Sequence, residues 1–225
     1  MTKIVLLSGS PHLNGSTSMK MLSLLKSRLD TDFSTEAVEA AKSILQNTQQ
    51  QDYLRMNAAD AIVIAFPLYV YCLPGALAEF LVGYSKYRKS IGKPAQQKIY
   101  AVINCGFPES GINDDAAHVI KRFCQEAAAS YRFSVLIGSG GMLQPLKMLP
   151  SVQKMWRDIG SSFDQIIRDI RVGGAQPADI HLNSKLPKKL FFFIAQTNFA
   201  VIARSHGVAK KQLFRKPYLK ENTAG

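Results

Sequence analysis

Four short runs of apolar, largely β-branched residues constrain the fold more than any other feature of the chain. They are Ile4 to Leu7, Ala61 to Phe66, Ile99 to Ile103 and Phe133 to Ile137. None alternates with polar residues, so each predicts a strand buried on both faces. A weaker strand is expected from Phe33 to Glu39. Helical spacing fills the gaps. One stripe is Ser18, Leu22, Leu25 and Leu29, with Ser16 or Thr17 able to cap it. A second is Leu77, Phe80, Leu81 and Tyr84, with Pro74 suited to the first turn. A third is Ala116, Val119, Ile120, Phe123, Cys124 and Ala127. The clearest is Val152, Met155, Trp156, Ile159, Phe163, Ile166, Ile167 and Ile170, stopped by Gly173 and Gly174. Gln46 to Gln51 reads as a polar connector. The alternation predicts an α/β fold: a doubly wound parallel sheet of five strands, order 2-1-3-4-5, with right-handed crossovers.

The chain has 225 residues and 47% hydrophobic residues. That content supports a full core and excludes a disordered chain or a multi-span membrane protein. Residues 1–174 are expected to form one domain. Residues 175–225 are expected to be a basic extension, loop-like up to residue 186, with one helix from Pro187 to His206 closed by Gly207. Three scattered cysteines, Cys72, Cys105 and Cys124, make no disulfide framework. With an N-terminal apolar run too short for a signal peptide, they predict a reducing, cytoplasmic setting. His118, His181 and His206 are scattered and suggest no metal site.

In such a sheet ligands bind beyond the carboxyl ends of the strands. The loop after the first strand, Ser8 to Thr17, is rich in glycine and hydroxyls and runs into a helix N-terminus. It suits a phosphate held by hydroxyls and backbone N–H groups, with His12 the one residue of the loop that could bring a side-chain cation. It has neither the Gly-Lys-Ser/Thr end of a P-loop nor the Gly-x-Gly-x-x-Gly fingerprint. A capped turn without a ligand reads equally well. The loop after the third strand, Pro67 to Pro74, is stiff, aromatic and apolar, and suits either a flat ring or plain packing. The loop after the fourth strand offers Asn104, Gly106 and Glu109, and Gly106 allows close backbone approach.

Together the three loops resemble the NADPH-dependent FMN reductase family of flavodoxin-like proteins. The phosphate motif is matched at Gly9, Ser10, Pro11, Gly15, Ser16 and Thr17, with His12 where the family has Arg. A second motif is matched by Pro67, Tyr69 and Pro74, and a third by Asn104, Gly106, Phe107 and Glu109. The resemblance covers residues 3–170 and implies FMN, with NAD(P)H as co-substrate. The phosphate would bind at Ser10, His12, Asn14, Gly15, Ser16 and Thr17. The ring would lie between Pro67, Leu68, Tyr69 and Val70 on one side and Asn104, Cys105, Gly106, Phe107 and Glu109 on the other. The implied reaction is ping-pong: hydride passes from NAD(P)H to flavin N5, then two electrons pass to a quinone, flavin or similar small acceptor. No catalytic acid or base is required. A homodimer is implied too. The alternative is a flavodoxin-like electron carrier without nicotinamide turnover.

The net charge of +12 is uneven. Residues 185–225 hold nine basic residues against Glu221, which leaves a modest +4 on residues 1–184. The surplus belongs to the extension and does not point to nucleic acid. The Leu190 to Ile194 run in its helix is expected to pack on the domain or on a partner subunit, with a membrane surface the less favoured reading.

Overall fold

The structure is a computed structural model that describes residues 1–12, 15–92, 96–143, 146–184 and 187–215. Its strands are β1 (Thr2–Ser8), β2 (Phe33–Glu39), β3 (Ala61–Pro67), β4 (Lys98–Asn104), β5 (Ser130–Ile137) and β6 (Ile180–Leu182). They form one sheet of order β2-β1-β3-β4-β5-β6, parallel at every pairing. The helices are α1 (Thr17–Lys26), α2 (Ala40–Leu45), α3 (Gln49–Asn57), α4 (Gly75–Ser90), α5 (Asp114–Glu126), α6 (Pro150–Val172) and α7 (Lys188–Ser205).

The central strands are buried on both faces, as their unalternated runs require. Val5, Leu7, Ile62, Ile64, Ile99 and Ile103 pack with Leu77, Phe80 and Tyr84 of α4 and Ile120 of α5. Ile4, Leu6, Val63, Val102 and Val135 pack with Leu22 and Leu25 of α1 and Ile159, Phe163 and Ile166 of α6. Two cores, one on each face, fix the sheet between two helical layers. The N-cap is Ser16, whose Oγ accepts from the Met19 N–H at 3.2 Å.

The sheet has six strands, not five. β6 lies inside a segment expected to be loop, and it is only three residues long. A side chain sets its place: Asp179 Oδ1 accepts from the Ser134 N–H and the Tyr131 hydroxyl, each at 2.6 Å. Ile180 to Leu182 then pair with Val135 to Ile137. The Gln46 to Gln51 connector is also partly helical, since α3 opens at Gln49. Among its buried residues only Tyr53 and Met56 are apolar, too few to make a visible stripe. Val119 is exposed and drops out of its stripe, while Leu29 and Ala127 lie just beyond the ends of α1 and α5 and still pack on the cores. Gly173, at φ +68°, ends α6.

The chain forms two compact units, Met1–Ser184 and Lys185–Gly225. The second contains α7 and a short 3₁₀ turn, Lys210–Phe214.

Candidate functional site

A cavity of about 500 Å³ lies at the carboxyl ends of β1, β3 and β4, in the first unit. Eleven of the fifteen expected residues line it. Ser10, His12, Gly15, Ser16 and Thr17 form one part of the wall, Pro67, Leu68 and Tyr69 another, and Asn104, Cys105 and Gly106 a third. Val70, Phe107 and Glu109 do not line it. Asn14 lies outside the described residues.

The first-loop wall carries groups that can donate to an anion. Ser16 as N-cap uses an oxygen lone pair on Met19, which leaves its O–H proton to donate. The N–H groups of the first turn have no acceptor within the helix, and the helix dipole puts partial positive charge there. The Ser10 hydroxyl oxygen accepts from the His12 N–H at 3.2 Å, which folds the loop back on itself. Gly9 is needed for packing: a Cβ there would strike the Leu77 side chain and the Phe66 Cβ.

Lys20 also lines the cavity and was not among the expected residues. It sits one turn into α1. Cα–Cβ bonds tilt toward a helix N-terminus, so a lysine there overhangs the first turn. The signal was its spacing of four residues from the Ser16 cap. The wall therefore carries a lysine besides the His12 imidazole. Gly141 was missed as well. It follows β5, whose exit loop Gly138-Ser139-Gly140-Gly141 is as glycine-rich as the first.

The β3 and β4 exits are tied together. Buried Asn104 donates through Nδ2 to Ser18 Oγ at 3.2 Å and to the Phe66 carbonyl at 3.1 Å. The Leu68 N–H donates to the Asn104 carbonyl at 2.8 Å, and the Gly140 N–H to that of Cys105 at 2.7 Å. Burial pushes the Cys105 thiol up from its ordinary value. Its Sγ lies 3.4 Å from the Phe107 carbonyl and 3.6 Å from that of Glu109, so it is a protonated donor and not a thiolate.

Beyond Tyr69 the backbone is strained. Tyr69 and Cys72 exchange two N–H···O bonds of 2.9 Å, closing a two-residue turn. Its central residues Val70 and Tyr71 are both left-handed, at φ 47° and 62°. Asn and Gly ordinarily fill such a turn, and a β-branched residue there is unusual. The Val70 side chain stands out in solvent, 92% exposed.

Residues 2–131 match the family model of the NADPH-dependent FMN reductases, which is more than half of the chain. This protein belongs to that family. Its cofactor is FMN and its reductant NAD(P)H, as the three loop motifs implied. Solved structures agree at the level of fold. The apo form of an NADH:FMN oxidoreductase superposes with a TM-score of 0.56 at 16% identity, covering 84% of this chain and 99% of that one. An NAD(P)H:quinone oxidoreductase from Methanothermobacter marburgensis gives 0.56 at 14%, covering 78% and 98%. An azoreductase from Bacillus anthracis gives 0.53 at 14%, covering 73% and 100%. A comparison with curated protein sequences finds no match.

The family's cofactor fits the cavity on two observations. The wall carrying Ser10, Ser16 and Lys20 has the donors and the cation that a phosphate monoester requires. At Gly106 and Gly141 an added Cβ would meet nothing within 4 Å among the described residues, so the missing side chains leave room in the cavity.

Proposed function

We propose that this reductase passes the two electrons it takes from NAD(P)H to a small acceptor of the quinone, flavin or azo class, in ping-pong order. The observation that carries the reading is the composition of one cavity: an anion-binding helix N-terminus on one wall, Pro67, Leu68 and Tyr69 on a second, and Asn104 to Gly106 on a third. When bound, FMN supplies the N5 atom that accepts hydride and later returns the electron pair.

The protein's own contribution is binding and position. Ser10, Ser16 and Thr17 donate to the phosphate, Lys20 adds positive charge, and the His12 ring can donate a hydrogen bond. Pro67 and Leu68 offer a rigid, mostly apolar wall to the ring. The backbone from Asn104 to Gly106 faces it, with Asn104 locked by its own hydrogen bonds. Cys105 stays a protonated thiol, and the reading asks no side chain to move a proton. A homodimer belongs to this reading: Val70, Tyr71 and Phe107 border the lining residues in sequence and are exposed apolar groups that a second copy would cover. A reducing cytoplasm belongs to it too, on the support of three free cysteines.

The test is a visible spectrum of the purified protein, then anaerobic addition of NADPH or NADH. A yellow protein bleached by either nucleotide and recoloured by a quinone is expected. A colourless protein that takes up no added FMN would overturn the reading. A yellow protein that neither nucleotide bleaches would make it an electron carrier.

A further inference from the structure

We propose that residues 187–215 dock the protein on an anionic lipid surface. The proposal is independent of the flavin reading.

Between residues 187 and 215 there are six basic residues and no carboxylate. Their placement follows the helix. Lys188 and Lys189 open α7, Arg204 lies in its last turn, and Lys210, Lys211 and Arg215 follow it. The fourteen residues from 190 to 203 carry no charge. A helix on its own prefers acids in its first turn, and α7 has none there. Lys188 and Lys189 stand at that end instead, so the positive side chains sit where the dipole is already positive.

Apart from Phe191, which is buried, the uncharged stretch leaves most of its large apolar groups exposed. Phe193 is 67% exposed and Phe199 68%, and Leu190, Phe192, Val201 and Ile202 are exposed too. Phe192, Phe199 and Ile202 share one helix face through their spacing of seven and three. The 3₁₀ turn repeats the mixture, with exposed Leu213 and Phe214 beside Lys210 and Lys211. Phenylalanines that enter the acyl boundary, flanked by cations that stay at the headgroups, are what an interfacial helix needs.

Geometry and charge choose among occupants. Fourteen residues of helix reach about 21 Å, short of the roughly 30 Å of a bilayer core. Among the described residues no helix is long and apolar enough to cross a membrane. The element therefore lies along the surface. A second copy would bring its own local charge of +8 against this one, which disfavours pairing of two α7 helices. Anionic lipid answers both features at once.

Co-sedimentation of the full chain with vesicles tests this. Binding to phosphatidylcholine vesicles containing phosphatidylglycerol is expected, with none to phosphatidylcholine alone. Lys188→Gln with Lys189→Gln should weaken partitioning about 30-fold, the effect of two cations near an anionic surface. Phe199→Ser with Ile202→Ser should abolish it without lowering the melting temperature, since both side chains are exposed. Failure to bind the anionic vesicles would overturn the proposal, as would unchanged binding of the double serine variant. So would a dimer in sedimentation velocity that the double serine variant dissociates, or tighter binding to a single-stranded oligonucleotide than to the vesicles at equal salt.

Discussion

The amide of Asn104 donates to the hydroxyl of Ser18 across 3.2 Å, and so joins the end of β4 to the first turn of α1. The same nitrogen holds the Phe66 carbonyl at the end of β3. One buried side chain thereby sets the spacing between two walls of the cavity. Asn104→Ala leaves that carbonyl and hydroxyl short of a donor, at a cost of about 1–3 kcal/mol. A fall in melting temperature together with weaker FMN affinity in a fluorescence titration is expected. Asn104→Asp should not rescue either property, because an ionised carboxylate cannot donate.

The strained turn after Tyr69 leads to a stability gain. Val70 pays a steric penalty at φ 47°, and its exposed side chain returns little packing. Asparagine tolerates left-handed backbone through local hydrogen bonding. Val70→Asn should stabilise the protein by about 1 kcal/mol, raising the melting temperature by about 2–4 °C for a chain of this size. A lower melting temperature would mean that the valine makes contacts worth more than the strain.

These two sites also mark where sequence patterns stop being informative. β1, β3, β4 and β5 are legible because burial on both faces writes an unbroken apolar run. β2 is faint because it is an edge strand with only Phe33 and Val38 buried. β6 is silent because the Asp179 carboxylate, not a hydrophobic pattern, sets its register. At the site, loop residues at the ends of β1, β3 and β4 follow from topology alone. Lys20 does not, since it lies within a helix and reaches the cavity only through the tilt of its side chain. Nor does the turn at Val70 and Tyr71, whose residue types signal extended chain. Its conformation comes from the two bonds between Tyr69 and Cys72.

Acid stability should depend on a buried network at the far ends of the strands. Asp169 accepts from Arg132 Nε and Nη2, each at 2.7 Å, and from the Tyr100 hydroxyl at 2.6 Å. Arg132, chiefly through these hydrogen bonds, holds the carboxyl below the usual carboxylate range, and the Tyr100 bond adds to it. A group depressed in the folded state contributes stability that is complete above its unfolded value, near 4, and lost as pH falls through the folded value. Urea midpoints should therefore drop on acidification below about pH 4. Asp169→Asn should cost about 3–5 kcal/mol at pH 7 by leaving Arg132 buried without its counter-charge, and should lose less than the wild type on further acidification. Parallel urea curves for the two proteins at pH 7 and pH 3 would contradict this.

The wall around Ser16 and Lys20 makes two kinds of contribution that substitution can separate. Ser16 caps α1, so Ser16→Ala should cost about 1 kcal/mol of stability. Ser16→Asp keeps a capping oxygen, and its charge suits the helix dipole, so the melting temperature should hold or rise. The same charge repels a phosphate, so FMN affinity should fall by at least about tenfold, the effect of one charged hydrogen bond. Lys20→Ala removes a charge without touching the cap. It should weaken FMN by about tenfold and leave riboflavin, which has no phosphate, unchanged. The flavin pair is the deciding comparison. If Lys20→Ala weakened riboflavin as much as FMN, the lysine would be shaping the cavity and not meeting an anion, and the phosphate would have to be placed on a different wall.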